Sequence, residues 1–178
     1  VRGRVTEFLP ARRAARRISR GVRMALYLTL AVAIGLIGGL RTMTALAAVT
    51  WAVWLGHPDL TGSWLAFLGH RYTPWIVSLL ALAEFVTDQL PSTPSRKVPL
   101  QFGGRILTGA LTGAIVGLEG GVLLPGLLAG VAGAVIGTLG GAEVRRRLAA
   151  RFGRDLPAAL LEDAVAIVGA LLVVAALT

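Results

Sequence analysis

Apolar residues run in long blocks along this chain, and polar and charged residues collect between them. The blocks cover 24–56, about 74–90, about 105–118, about 123–141 and about 157–177. A helix needs ~20 apolar residues to cross the hydrocarbon core. Inside lipid each backbone N–H and C=O must be satisfied within the protein, which favours helices for blocks of this length. The pattern therefore predicts an all-α fold: a polytopic transmembrane helical bundle of about five spans. The first block is longer than one crossing requires. Gly35, Gly38 and Gly39 precede Arg41 within it, so it reads either as one kinked or tilted helix or as a helix followed by a re-entrant piece. Between the first two blocks lies HPDLTGSWLAFLGHRYT (57–73), in which SWLAFL suits a short interfacial helix. Trp51, Trp54, Trp64 and Trp75 all fall near this loop, as expected of amphipathic rings at one membrane interface.

Composition sharpens the picture. Of 178 residues, 55% are hydrophobic and 15% charged, with mean hydropathy +0.74. A soluble domain carries roughly 25% charged residues. The net charge of +9 would raise nucleic acid as a partner in a soluble protein. Here the basic residues flank apolar blocks, so the expected partner is the lipid bilayer with its anionic headgroups, and no nucleic acid. Residues 1–23 hold Arg2, Arg4, Arg12, Arg13, Arg16, Arg17, Arg20 and Arg23 against Glu7 alone. They read as a basic cytoplasmic juxtamembrane segment ahead of a transmembrane helical domain, 24–178. Arginines before an apolar run, with Ala45-Leu46-Ala47 beyond it, also resemble a secretory signal. The run from Met24 to Leu40 is long for one, and apolar sequence resumes after it, so a retained span is expected.

Absent chemistry narrows the function. Without Cys, a disulfide framework, a thiolate metal site and a Cys nucleophile are excluded. His57 and His70 lack zinc-ligand spacing, and no Ser/His or paired-Asp constellation is present. The chain is expected to be no enzyme and to need no cofactor or metal.

Orientation follows from Lys and Arg in the loops. The N-terminal segment has eight, loop 57–73 has Arg71, loop 91–104 has Arg96 and Lys97, the turn at 119–122 has none, and loop 142–156 has five. If 24–56 crosses once, all basic segments share one side. If it crosses twice, the bias is violated. The expectation is five spans in the inner (plasma) membrane, with the N-terminus cytoplasmic.

Glycines recur at four-residue spacing: Gly35 and Gly39; Gly109, Gly113 and Gly117; Gly133, Gly137 and Gly141. In lipid such stripes let backbones approach closely, so these glycines are expected to be helix-packing seams of the glycine-zipper kind. The same faces would serve a homo-oligomer or a membrane-complex partner, and glycines lining a pore are the alternative. Residues 31–47 also align without gaps to 133–149, pairing Gly35 with Gly137 and Gly39 with Gly141. With five spans these units would be antiparallel, as in the inverted repeats of transporters.

Charges inside apolar blocks are the candidate site: Arg41, Glu84, Asp88 and Arg105. An ionised group at mid-bilayer costs ~3 kcal/mol on insertion scales, so each should pair, meet water or sit near an interface. Glu84 and Asp88 are i, i+4 and share a helical face. They read as partners of Arg41 or Arg105, or as an ion or substrate site. Glu162 and Asp163 follow Pro157 closely and read as carboxylates stabilising a helix start.

Gly39-Leu40-Arg41-Thr42, Glu84-x-x-x-Asp88-x-x-Pro91 and Arg105-x-x-x-Gly109-Ala110 together resemble one bacterial family of integral membrane proteins, the domain of unknown function four-one-two-six. The resemblance covers about residues 28–176. Gln89 stands where the family pattern has Lys. The resemblance implies a membrane topology and gives weight to Arg41, Glu84, Asp88 and Arg105, but it brings no assigned chemistry. Two functional classes remain: a small transporter or channel for ions or small solutes, and a non-catalytic membrane subunit or scaffold that packs against partner helices.

Overall fold

A computed structural model describes residues 5–88 and 98–178, with side chains described from residue 17 onward. The loop carrying Gln89, Arg96 and Lys97 lies outside the described residues. Within them are α1 (Val5–Leu40), α2 (Thr42–Trp54), a short 3-10 turn (Ala66–Gly69), α3 (Thr73–Thr87), α4 (Pro99–Glu119), α5 (Leu123–Phe152) and α6 (Asp155–Leu177), and no strand. The chain is all-helical. Three stretches are long and apolar enough to cross a membrane: Arg17–Leu40 within α1, α5 and α6. Helices α2 and α3 are apolar but have only 13 and 15 residues. The basic stretch and the first apolar run form one unbroken helix, with no joint at residue 23.

Local chemistry sets several ends. Proline opens α3 and α4, where its missing N–H would have had no helical partner. Gly153, at φ 67°, ends α5 in the left-handed conformation and turns the chain directly into α6.

The expectation that 24–56 crosses once is corrected by the structure. The Arg23 guanidinium donates to the Glu119 carbonyl (3.3 Å), and His57 Nδ1 lies 3.6 Å from Glu119 Oε1. The early part of α1 and the far end of α2 therefore meet at one end of α4. At the other end of α4, Arg105 donates to the carbonyl of Leu40 (2.9 Å), the last residue of α1. The chain thus reverses at Arg41. Helix α2 runs back along the bundle, α3 returns beside it, and α4, α5 and α6 continue the alternation. The physical cause is local. Arg41 is extended, at φ −140° and ψ 104°, and each flanking helix end finds a side-chain partner, so the backbone can leave the helix without orphaned polar groups. The odd count of spans, and with it the five-span arrangement, does not fit this path.

Helix α1 packs chiefly on α5 and α4, and α4 also packs on α5. The glycines lie in these contacts. A Cβ on Gly113 would come within 2.5 Å of the Gly126 carbonyl oxygen and 2.6 Å of Gly130 Cα, and one on Gly117 within 2.8 Å of Gly126 Cα. A Cβ on Gly109 would meet the Ala134 Cβ at 2.5 Å. Gly35 faces the Gly130 backbone, Gly39 faces Ala134 and Thr138, Gly133 and Gly137 face Val32 and Leu36, and Gly141 faces the Leu40 side chain. Contacts that rise together along α1 and α5 show the two helices running parallel. The antiparallel relation expected for 31–47 and 133–149 is therefore not present.

The outer faces of α3 and α6 expose Trp75, Leu79, Leu82, Val86, Val165, Leu171 and Leu172. Exposed apolar side chains of this kind suit contact with lipid.

Candidate functional site

The reversal between α1 and α2 is also where the buried charges converge. Its framework is backbone: Arg41 N–H donates to the Ile37 carbonyl (2.6 Å), and the Arg41 carbonyl accepts from Ala45 N–H (3.3 Å). One residue thus closes one helix and opens the next. The last carbonyls of α1 carry partial negative charge and the first amides of α2 partial positive charge. Each end receives an opposite charge from a different helix. From α4, Arg105 Nη1 donates to the carbonyls of Gly39 and Leu40, both at 2.9 Å. From α3, Glu84 accepts from Thr42 N–H at Oε1 and from Met43 N–H at Oε2, both at 2.9 Å. The Thr138 hydroxyl on α5 donates to Ala134 O (2.8 Å) and leans on Gly39 O (3.3 Å).

Arg41 itself is fully buried, at 0% exposure. Its Nη1 pairs with the Asp88 carboxylate at the end of α3, and its Nη2 lies 2.5 Å from Asp163 Oδ1 on α6. Its guanidinium sits over the Phe85 ring, 5.6 Å from the centroid. Arg105 Nη2 approaches Asp88 Oδ2 at 3.9 Å. Toward the α5–α6 turn, Arg145 forms a two-bonded pair with Asp155 (2.9 and 2.5 Å) and lies 3.5 Å from Glu162. All six helices thus contribute to one network, and every ionised group described in it has an opposite charge or backbone dipoles beside it.

The structure brings Arg41, Glu84, Asp88 and Arg105 together. Within the group, Asp88 pairs with Arg41, whereas the hydrogen bonds of Glu84 go to two amides, with Arg105 acting on it through its charge. The amides of α2 are partners that no residue pattern announces, because nothing in the sequence marks a helix start at Thr42. By its position after Pro157, Asp163 is expected to stabilise a helix start. It instead lies two turns into α6 and reaches Arg41, and its neighbour Glu162 faces Arg145. The signal for Asp163 was its setting between Ala158-Ala159 and Ala164-Val165, where a carboxylate needs a partner.

Some polar capacity remains at the cluster. Arg41 Nε and the Thr44 hydroxyl, both buried, make no hydrogen bond among the described residues. Two cavities adjoin it. One of about 300 Å³ lies against Leu40, Gly141, Arg145 and Glu162. The other, a groove of about 480 Å³, runs between α2, α3 and α6 from Thr44 and Phe85 to Leu55. Its lining is apolar apart from Thr44 and Ser78. No three His, Asp or Glu side chains among the described residues converge as a metal-binding set.

The opposite end of the bundle is aromatic. Trp51 stacks edge-on against Trp54 (5.5 Å) and Trp75 (5.0 Å), and its Nε1 donates to Ser78 Oγ (3.1 Å). In the loop beyond, Asp59 accepts from the Thr61 hydroxyl (2.6 Å) and amide (2.9 Å), which holds its carboxyl below the usual range. No family model, curated protein or solved structure matches this chain, so its site is read from its own geometry.

Proposed function

We propose that the six helices form one membrane-embedded bundle, held by glycine-zipper seams, that carries an ion or small solute past the Arg41 cluster. The N-terminus is placed on the cytoplasmic face of the inner membrane. The observation that carries this reading is a fully buried arginine at a helix reversal, held by carboxylates from two other helices. Such a cluster is a costly way to fill a core, since apolar side chains of similar volume are often as stable or more so. Intramembrane charges of this kind are therefore read first as a functional site. Discontinuous helices whose ends meet charged groups are also the usual construction of a transport site. Glu84 on the amides of α2 occupies the position that a solute anion would take, and Arg41 Nε and Thr44 Oγ1 are donors without a hydrogen bond among the described residues. The residues that gather here also carry the resemblance to the bacterial membrane family, which supports treating them as one unit.

The test is flux from proteoliposomes across a screen of protons, monovalent cations and small anions. The wild type is expected to exceed empty vesicles for one of them, and Glu84→Gln or Asp163→Asn to abolish that flux while remaining monodisperse. No flux above empty vesicles across the screen would sink the reading.

A second reading is a non-catalytic subunit or scaffold, alone or as a homo-oligomer. The apolar groove between α2, α3 and α6 favours it, since it offers a seat to a partner helix. Co-purification in mild detergent tests it. A single monodisperse species without a partner counts against it.

A further inference from the structure

At the end of the bundle away from the charge cluster, a cleft of about 1000 Å³ opens between α1 and the α4–α5 turn. Arg17, Arg20 and Arg23 line it from α1. The α4–α5 turn supplies the other wall, and it sits close because Gly120 has no side chain: a Cβ there would come within 2.6 Å of the Tyr27 ring. Arg23 ties the two walls together, donating to the Glu119 carbonyl (3.3 Å) and lying over Tyr27 at 5.7 Å. Among the described residues one carboxylate lines the cleft, that of Glu119, and His57 stands 3.6 Å from it. Three guanidiniums against one carboxylate leave the cleft cationic. Met24 and Leu118, 45% and 39% exposed, and Val122 give it an apolar side.

We propose that this cleft binds the phosphate of an anionic phospholipid. Guanidinium groups match phosphate oxygens in geometry as well as charge. The apolar side gives the acyl chains a surface to lie on, which a free phosphate ion would not use. Basic residues beside a span are the general form of anionic-lipid recognition. Here the α4–α5 turn converts a basic stretch into a walled site, so binding depends on where the arginines stand and not on net charge alone. The proposal rests on the membrane reading of the chain. It is independent of transport, because the flux test reports on the Arg41 cluster at the other end.

The experiment is lipid titration of the full chain in mild detergent, read by native mass spectrometry, with phosphatidylglycerol and phosphatidylcholine as probes. Each arginine contributes about fivefold to attraction for an anionic headgroup. The variant R17Q/R20Q/R23Q is therefore expected to bind phosphatidylglycerol about a hundredfold more weakly, with phosphatidylcholine unchanged. R17K/R20K/R23K keeps the charge, folds where the glutamine variant fails to, and retains most of the preference. R146Q/R147Q/R151Q removes as much charge from the other end and is expected to leave binding intact. Equal retention of the two lipids by the wild type would overturn the proposal, as would equal losses in the two glutamine variants. Displacement of bound phosphatidylglycerol by inorganic phosphate would overturn the lipid assignment in favour of a soluble phosphate.

Discussion

Gly113→Ala tests the packing of the bundle most directly. The added methyl would meet Gly126 O at 2.5 Å, Gly130 Cα at 2.6 Å and Gly130 N at 3.0 Å. All three atoms belong to the α5 backbone, so no side chain can rotate away. Ordinary contact for a Cβ begins at 3.4 Å, so α4 would have to retreat from α5 by about 0.9 Å. Lateral movement of a helix is shared by every contact along the seam, including those at Gly109 and Gly117. Overpacking of this kind costs ~1–3 kcal/mol. Against it stands the gain of up to ~1 kcal/mol for replacing Gly with Ala in a helix, so the net effect is a loss. Gly104→Ala is the control. It lies in the same helix, and a Cβ there meets nothing within 4 Å, so only the propensity gain remains. Thermal unfolding in detergent, followed by fluorescence of the four tryptophans, should show Gly113→Ala melting several degrees below wild type and Gly104→Ala at or above it. Equal melting temperatures for the two variants would refute the argument that close backbone approach holds α4 to α5.

Arg41→Met leaves Asp88 and Asp163 without their buried counter-charge, at a cost of ~3–5 kcal/mol; monodisperse yield in detergent should collapse, and Asp163→Asn added to it should restore part of the yield. Glu84→Gln keeps one carbonyl oxygen for the α2 amides and loses the other acceptor, costing ~1–3 kcal/mol, so it should melt lower than wild type but higher than Glu84→Ala. The reversal at Arg41 places Ser19 and Ser63 at one end of the bundle and Arg151 at the other. In a chain with no native Cys, S19C and S63C should therefore react with an impermeant thiol reagent from one side of a vesicle and R151C from the opposite side. Reaction of S19C and S63C from opposite sides would restore the single crossing of 24–56.

Much of this architecture is legible in the sequence because long apolar blocks follow simple rules. Long apolar blocks must become helices, and glycines at i, i+4 must mark close faces. Gly113 and Gly117 do face α5 as that spacing implies. The four charges in apolar surroundings converge, because a charge with no partner there would be costly. What the residues alone do not disclose is direction. A helix that kinks at Gly38-Gly39-Leu40-Arg41 and one that reverses there have the same hydropathy. The choice is made by Arg105 and Glu84, more than forty residues further along the chain, which satisfy the two helix ends that a reversal exposes. The same non-local bonds explain why Glu84 was matched to an arginine on sequence grounds. Its actual partners, the amides of Thr42 and Met43, exist as free donors only once the chain has turned.

The reversal also weakens the argument that first set the orientation. By sequence, nine Lys and Arg, including Arg71, lie in the segments that precede the apolar run of α1 or join α2 to α3, and seven in the segments that join α3 to α4 and α5 to α6. Counting therefore barely discriminates. The rule gives most weight to charges close to the first span, and eight of the nine precede it. At the opposite end Arg145 is engaged by Asp155 and Glu162, and Arg146 and Arg147 by Glu143. Orientation with the N-terminus cytoplasmic also turns the Arg17–Arg20–Arg23 cleft toward the leaflet richer in anionic lipid. The expected outcome is that, in intact cells, S19C resists an impermeant thiol reagent while R151C reacts, and that permeabilisation exposes S19C. If R151C is the protected position, the arginines of α5 set the topology, and the α4–α5 cleft then faces the leaflet poorer in its ligand.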